Sequence, residues 1–145
     1  MMAAMTKDER QAFLAERRIG VITMNRPERA PLAVPVWYGY EPGGDLVVWM
    51  EVGSLKDRLL REAKRFSFVV HRDEMPYQYV MLEGSVVAFD ESPTTEEMVA
   101  IAARYFPEDE AKAYVDGMAG ARNELVRMRP ERWLTWDSSK DSWNT

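Results

Sequence analysis

Apolar residues recur along this chain with two periods, and the switches between them lay out its elements. Thr6-Lys-Asp-Glu9 is a capping box that predicts a short helix to about Glu16. Arg18–Asn25 reads as a strand, followed by an Arg26-Pro-Glu-Arg29 turn. Leu32–Tyr40 is a second extended run. Its Pro35 has no N–H, which suits an edge strand or a position facing a ligand. Pro42-Gly-Gly-Asp45 predicts a hairpin turn into a third strand, Leu46–Glu51. Leu55, Leu59, Leu60 and Ala63 then fall on a helical period, in a helix starting at Ser54 and running to about Arg65. Ser67–Arg72 and Tyr77–Phe89 are the fourth and fifth strands, with a bulge or bend expected at Gly84. Ser92-Pro-Thr-Thr-Glu-Glu97 caps a helix that ends near Tyr105. Pro107-Glu-Asp-Glu110 opens another, closed by Gly117 and Gly120. Leu125–Met128 and Trp133–Trp136 are expected as two last strands joined by an Arg129-Pro-Glu-Arg132 turn, ahead of a polar tail over 138–145.

Short antiparallel strands with helices inserted between them point to a small, mainly β (α+β) barrel. At 145 residues and 46% hydrophobic content, one domain over 1–145 with a real core is expected. No run of about 18 apolar residues predicts a membrane span. The first ten residues lack a signal-peptide core, so the cytoplasm is the expected compartment. With no cysteine, thiol nucleophiles and iron–sulfur clusters are excluded. The single His71 leaves neither a zinc site nor a His-based triad in prospect, and no metal is expected. A net charge of −5 argues against a nucleic-acid partner.

Charge is distributed unevenly. From Met50 to Arg72 six bases (Lys56, Arg58, Arg61, Lys64, Arg65, Arg72) face three acids, whereas from Glu83 to Glu124 ten acids face three bases. The basic segment contains the Ser54 helix start. A helix N-terminus has free N–H groups and a positive dipole end, so it attracts anions. Ser54 is a good N-cap and Asp57 makes a capping-box-like pair with it. Lys56 and Arg58 oppose the dipole unless an anion lies between them, and a phosphate is the natural candidate. The bland alternative is a solvated helix face carrying charge for solubility. Trp37, Tyr38, Trp49, Tyr77 and Tyr79 have the chemistry to line a flat ligand and equally the chemistry of barrel core. No acid–base pair or nucleophile stands out, so the catalytic residues are unassigned. A bound planar cofactor with its phosphate at the Ser54 helix would carry the chemistry itself.

At these residues the chain resembles the pyridoxamine-5′-phosphate-oxidase-like, FMN-binding split-barrel family, over roughly Phe13 to Asp137. Four features carry the resemblance: Gly20-Val-Ile-Thr with the Leu32–Tyr38 strand, Ser54-x-Lys56-x-Arg58-x-Leu60, Tyr79-Val-Met-Leu-Glu-Gly84, and Arg127-Met-Arg-Pro-x-x-Trp133 as a closing hairpin. It implies a split β-barrel of about six to seven antiparallel strands with inserted helices, working as a homodimer with cofactor sites at the interface. It also implies phosphate contacts from Ser54, Lys56 and Arg58, ring contacts from Val34, Pro35 and Val36, and neighbouring contacts from Trp49, Met50 and Tyr79. Trp37, Tyr38 and Tyr79 become expected walls of the substrate pocket, and Trp133 or Trp136 is expected to reach a site from the partner subunit.

Departures refine that picture. The chain ends Ser142-Trp-Asn-Thr145, without the family's substrate-binding Arg/His segment, and Leu55 replaces a basic residue common in the FMN enzymes. The resemblance therefore points away from vitamin B6 oxidation and toward the branch using the deazaflavin coenzyme F-420, whose acidic tail Arg61, Lys64 or Arg65 would serve. The expected activity is hydride transfer to a conjugated small-molecule substrate. An FMN-dependent oxidoreductase, a noncatalytic binder of flavin, haem or another planar ligand, and a barrel that has lost its ligand are the alternatives.

Overall fold

The computed structural model of the chain describes residues 3–141. Helix α1 (Lys7–Ala15) starts at the Thr6/Glu9 capping box. Strands β1 (Gly20–Arg26), β2 (Arg29–Val36), β3 (Tyr38–Gly39) and β4 (Leu46–Glu51) follow, then α2 (Leu55–Ala63). Strands β5 (Arg65–Arg72) and β6 (Gln78–Asp90), helices α3 (Thr95–Ala102) and α4 (Glu108–Gly117), and β7 (Asn123–Asp137) complete the main elements. All strand pairs are antiparallel, in the order β2-β1-β5-β6-β7-β4-β3.

The two outermost strands, β2 and β3, are consecutive in sequence and separated only by Trp37. Val36 and Tyr38 are at most about 7 Å apart along the chain. The sheet therefore has to curl until its edges meet, which makes the split barrel. The expected single run Leu32–Tyr40 is thus two strands with a break at Trp37. Tyr105 satisfies the break: its hydroxyl accepts the Tyr38 N–H at 3.2 Å and donates to the Arg18 carbonyl at 2.7 Å. Pro35 lies on the edge strand β2, as its missing N–H requires.

Side chains alternate across the curled sheet. Val34, Ile22, Phe68, Leu82 and Trp133 occupy one register row facing inward, and Ile22, Phe68 and Leu82 there are almost wholly buried. Leu14 from α1 and Leu60 from α2 pack against this core.

The expected turn at Arg129–Arg132 and the closing hairpin are not formed. Residues 123–137 make one continuous 15-residue strand. Pro130 is accommodated because the β6/β7 register shifts there, from Glu83 opposite Arg132 to Gly84 opposite Pro130. The bulge expected at Gly84 is this shift. The expected polar tail also begins later than 138. Ser138 is fully buried in a short 3-10 helix (Ser138–Lys140), and its N–H donates to the Tyr77 carbonyl. Of that tail, 142–145 lies outside the described residues. Among the described residues no helix is long and apolar enough to cross a membrane.

Candidate functional site

Where β2 gives way to β3, a cavity of about 230 Å³ opens between the barrel and α4. Val36, Trp37, Trp49, Met50, Glu51 and Lys56 line its barrel side, and Tyr114, Met118 and Asn123 close it. Five of the residues singled out in the sequence (Val36, Trp37, Trp49, Met50, Lys56) meet here. Their convergence follows from the curl of the sheet, which brings the end of β2, the end of β4 and the start of α2 together.

The walls are rigid. Trp37 stacks flat on Tyr105, with ring centroids 4.8 Å apart and planes 7° from parallel. Tyr114 stands against Trp37 at 5.2 Å and Trp49 at 5.8 Å. The Trp49 indole N–H donates to Asn123 Oδ1 at 3.1 Å, and Asn123 Nδ2 donates to the Met118 carbonyl at 3.0 Å. Tyr114, Met118 and Asn123 carry no local signal of their own in the sequence. They lie more than sixty residues beyond Trp49; the packing of α4 brings in Tyr114 and Met118, and the pairing of β7 with β4 brings in Asn123.

At the start of α2, Ser54 Oγ accepts the Asp57 N–H, and the helical ladder begins with Arg58 N–H to the Ser54 carbonyl. The N–H groups of Leu55 and Lys56 thus point out of the helix end. Asp57 does not close a strict capping box. Its Oδ2 instead accepts the Gly53 N–H at 2.7 Å, and Gly53 itself has φ +85°, a conformation suited to glycine. Neither Lys56 nor Arg58 has an ion-pair partner among the described residues; Lys56 is half-buried at the cavity and Arg58 is exposed.

Arg61 is different from the coenzyme-tail cation expected of it. Its guanidinium donates to Asp57 Oδ1 and Glu124 Oε2, each at 2.7 Å, and lies over the Phe89 ring. Asp57 and Glu124 are 2% and 0% exposed, so Arg61 is taken up by two buried carboxyl groups and is unavailable to a ligand. Arg65 lies 3.9 Å from Glu131 on the exposed surface, and Lys64 is the left-handed C-cap of α2, away from its N-terminus. Removing one partner of a buried charge cluster is costly. With Arg61 itself partly exposed, Arg61→Ala is expected to destabilise by about 2 kcal/mol. Thermal melting checks this; an unchanged melt with lost coenzyme affinity would restore Arg61 to the ligand.

Other expected site residues lie elsewhere. Tyr38 is fully buried and its hydroxyl donates to the Leu14 carbonyl at 2.7 Å, so it is core and not a pocket wall. It points inward because it continues the inward row of Leu32, Val34 and Val36 across the break at Trp37. Val34 packs on the core and Pro35 is exposed on the opposite face of β2. Tyr79 and Trp136 sit together on the outer sheet face, 6.2 Å apart, and Trp133 packs with Tyr40 and Arg10 inside the barrel end. Within one chain, none of these last three lines the cavity.

The geometry fits a phosphate and one edge of a planar ring. Lys56 and two outward amides supply positive potential, and Trp37, Trp49, Met50 and Val36 supply an apolar wall. At 230 Å³ the cavity is below the size that encloses a whole drug-sized ligand, so most of a tricyclic ring would lie outside what one chain surrounds.

The family model described as pyridoxamine 5′-phosphate oxidase matches residues 6–137. The conserved hypothetical protein Rv2991 from Mycobacterium tuberculosis is similar at 26% identity and a TM-score of 0.77, over 96% of this chain and 89% of that one. A protein described as F420 reductase aligns with a TM-score of 0.68 at 19% identity, over 86% of this chain and 94% of that one. An FAD-binding protein from Mesorhizobium loti aligns at 0.64 and 16% identity, over 92% and 96%. The last two likenesses show the fold alone. No curated protein matches the chain.

Proposed function

Because the chain belongs to the pyridoxamine 5′-phosphate oxidase family, a fold that hosts flavin-type cofactors, we propose that it is a coenzyme F-420-dependent reductase acting on a conjugated small-molecule substrate in the cytoplasm. One observation carries this reading: Lys56, a cation with no ion-pair partner among the described residues, sits at the open end of α2 and on the rim of an aromatic-walled cavity. The cofactor phosphate belongs at Ser54, Lys56 and the outward amides, with Arg58 beside them. The ring edge belongs against Val36, Trp37, Trp49 and Met50. The bound coenzyme supplies the hydride. The protein holds the ring edge against fixed tryptophans, keeps water off it, and orients the acceptor. The likeness to a protein described as F420 reductase supports this choice of coenzyme at the level of fold.

The reading also calls for a homodimer, and the outer sheet face supports one. Pro35, Val21, Val69, Met81 and Leu134 form a single register row across five neighbouring strands, on the face opposite the core. Leu134 is 46% exposed. Tyr79 and Trp136 flank this row, so a partner packed there would meet them. Sedimentation is expected to give twice the 16.8 kDa chain mass, and Leu134→Glu to give the single-chain mass. A wild-type protein that sediments as a single chain at micromolar concentration would remove the shared-site model.

The decisive test is titration of the apo protein with F-420 and with FMN, followed by fluorescence, at low and high salt. F-420 is expected to bind more tightly. Its affinity should also fall more steeply with salt, since its acidic tail adds exposed charge contacts that are screened over about 8 Å at physiological ionic strength. Equal affinities and equal salt slopes would favour the FMN alternative. Binding without oxidation of the reduced coenzyme by any conjugated acceptor would favour a carrier.

A further inference from the structure

The first residues of β7 tie down both sides of the cavity. Asn123 holds the Trp49 indole, the Arg122 carbonyl accepts the Val52 N–H at 2.9 Å, and Glu124 reaches α2. Glu124 is wholly buried opposite Met50. Its Oε2 takes the Arg61 guanidinium, while no donor reaches its Oε1 among the described residues. Asp57 and Glu124 instead meet on that one guanidinium, Asp57 Oδ1 on its Nε and Glu124 Oε2 on its Nη2, each at 2.7 Å. Both carboxyls are buried, and two ionised carboxylates on a single cation would leave one buried negative charge uncompensated, so one of the pair holds a proton. The same Asp57 accepts the Gly53 N–H at its Oδ2 and donates its own amide N–H to the Ser54 hydroxyl.

We propose that Glu124 is a positioning residue for the anion site: it shares one proton with Asp57, and that proton holds the Gly53–Ser54 helix start in the geometry that receives a phosphate. The inference rests on the phosphate reading of that helix start.

The surrounding charges decide where the proton sits. Those near Glu124 are Asp57 and Arg61 from α2, Glu91 from the turn after β6, and Arg122 ahead of β7. Burial pushes the Glu124 carboxyl up to about 7, helped by the hydrogen bond and charge of Asp57 and opposed by Arg61. Burial also acts to raise Asp57, but its hydrogen bonds to Glu124, to the Gly53 amide and to Arg61 hold it below the usual range. The proton therefore resides on Glu124 and is donated to Asp57. Glu124 contributes fully to stability below the ordinary carboxylate range, and loses that contribution as pH rises toward about 7. Asp57 contributes in the opposite sense, above its ordinary range, and loses its contribution as pH falls through its lowered value. Above neutral pH a second buried negative charge faces Asp57 and pushes on the residue that fixes Gly53 and Ser54.

Coenzyme F-420 and FMN affinities measured from about pH 6 to about pH 8 test this. Wild-type affinity is expected to fall by about threefold to tenfold across that range, the scale of one hydrogen bond lost. Glu124→Gln keeps the donor to Asp57 and the acceptor for Arg61 at every pH, so it should hold the low-pH affinity throughout. The ionisation of the cofactor phosphate acts equally on both proteins, so their difference isolates Glu124. Identical pH slopes in the two proteins would overturn the proposal. If neither cofactor binds either protein, the phosphate reading fails, and carboxyl and amide NMR of the free wild-type protein decides the positioning role. A Gly53 amide shift that follows the Glu124 midpoint supports it, and one that ignores it overturns it.

Discussion

Lys56→Ala is expected to weaken cofactor binding by about tenfold to a hundredfold while leaving the fold nearly as stable as before. A charge-assisted hydrogen bond to phosphate is worth roughly 1.5–3 kcal/mol, and each 1.4 kcal/mol is about a factor of ten. No carboxylate partners Lys56 among the described residues, so its removal strands no buried charge. A cation at a helix N-terminus opposes the helix dipole, so losing it is neutral or favourable to the isolated protein. The contrast with Arg61, only five residues on, makes the pair informative: one variant should lose ligand and keep its melt, the other should lose its melt. Isothermal titration and thermal melting of both proteins provide the check. A Lys56→Ala protein that binds normally but unfolds early would show that Lys56 is structural.

Gly84→Ala is expected to be the most damaging single methyl in the barrel, costing about 3 kcal/mol and lowering Tm by roughly 10 °C. A Cβ at this position would lie 1.9 Å from the Arg129 carbonyl oxygen and 2.8 Å from its carbon. Those are backbone atoms of a central strand, held on both sides by β6 and β4, and cannot swing aside as a side chain can. The same bulge lets Pro130 pass through the middle of the sheet, so relief of the clash would have to undo the longest strand pair in the molecule. At Gly20→Ala the nearest atoms are of the Phe68 ring, at 2.0 Å from Cζ, a side chain that can turn where the Arg129 backbone cannot, so this change should cost less. Equal melts for Gly84→Ala and wild type would mean that the bulge is plastic.

The local chemistry of this chain is legible along its sequence because it is written in short-range patterns. The Ser54 N-cap, the Thr6/Glu9 box, the turn at Pro42–Asp45 and the glycine at the β6 bulge each depend on neighbours within a few residues. Those patterns, in their order, also carry the family resemblance that the match over residues 6–137 bears out.

What only the tertiary structure decided is which groups are left free to act. Lys56 and Arg61 look alike in a basic run, but closure of the sheet brings Glu124, 63 residues away, onto Arg61 and leaves Lys56 at the cavity. Trp37 and Tyr38 are adjacent aromatics on opposite sides of the chain: Tyr38 continues the inward row of Val34 and Val36 into the core, and only the packing of Tyr114 from α4 against Trp37 makes the other side a cavity wall. Arg129–Arg132 has the composition of a turn and is strand, because a register shift against Gly84 supplies room for Pro130. Each of these outcomes depends on pairing between residues far apart in the chain. Register between distant strands is set by burial of one whole face of the sheet against the core, a property of the closed barrel and of no single segment.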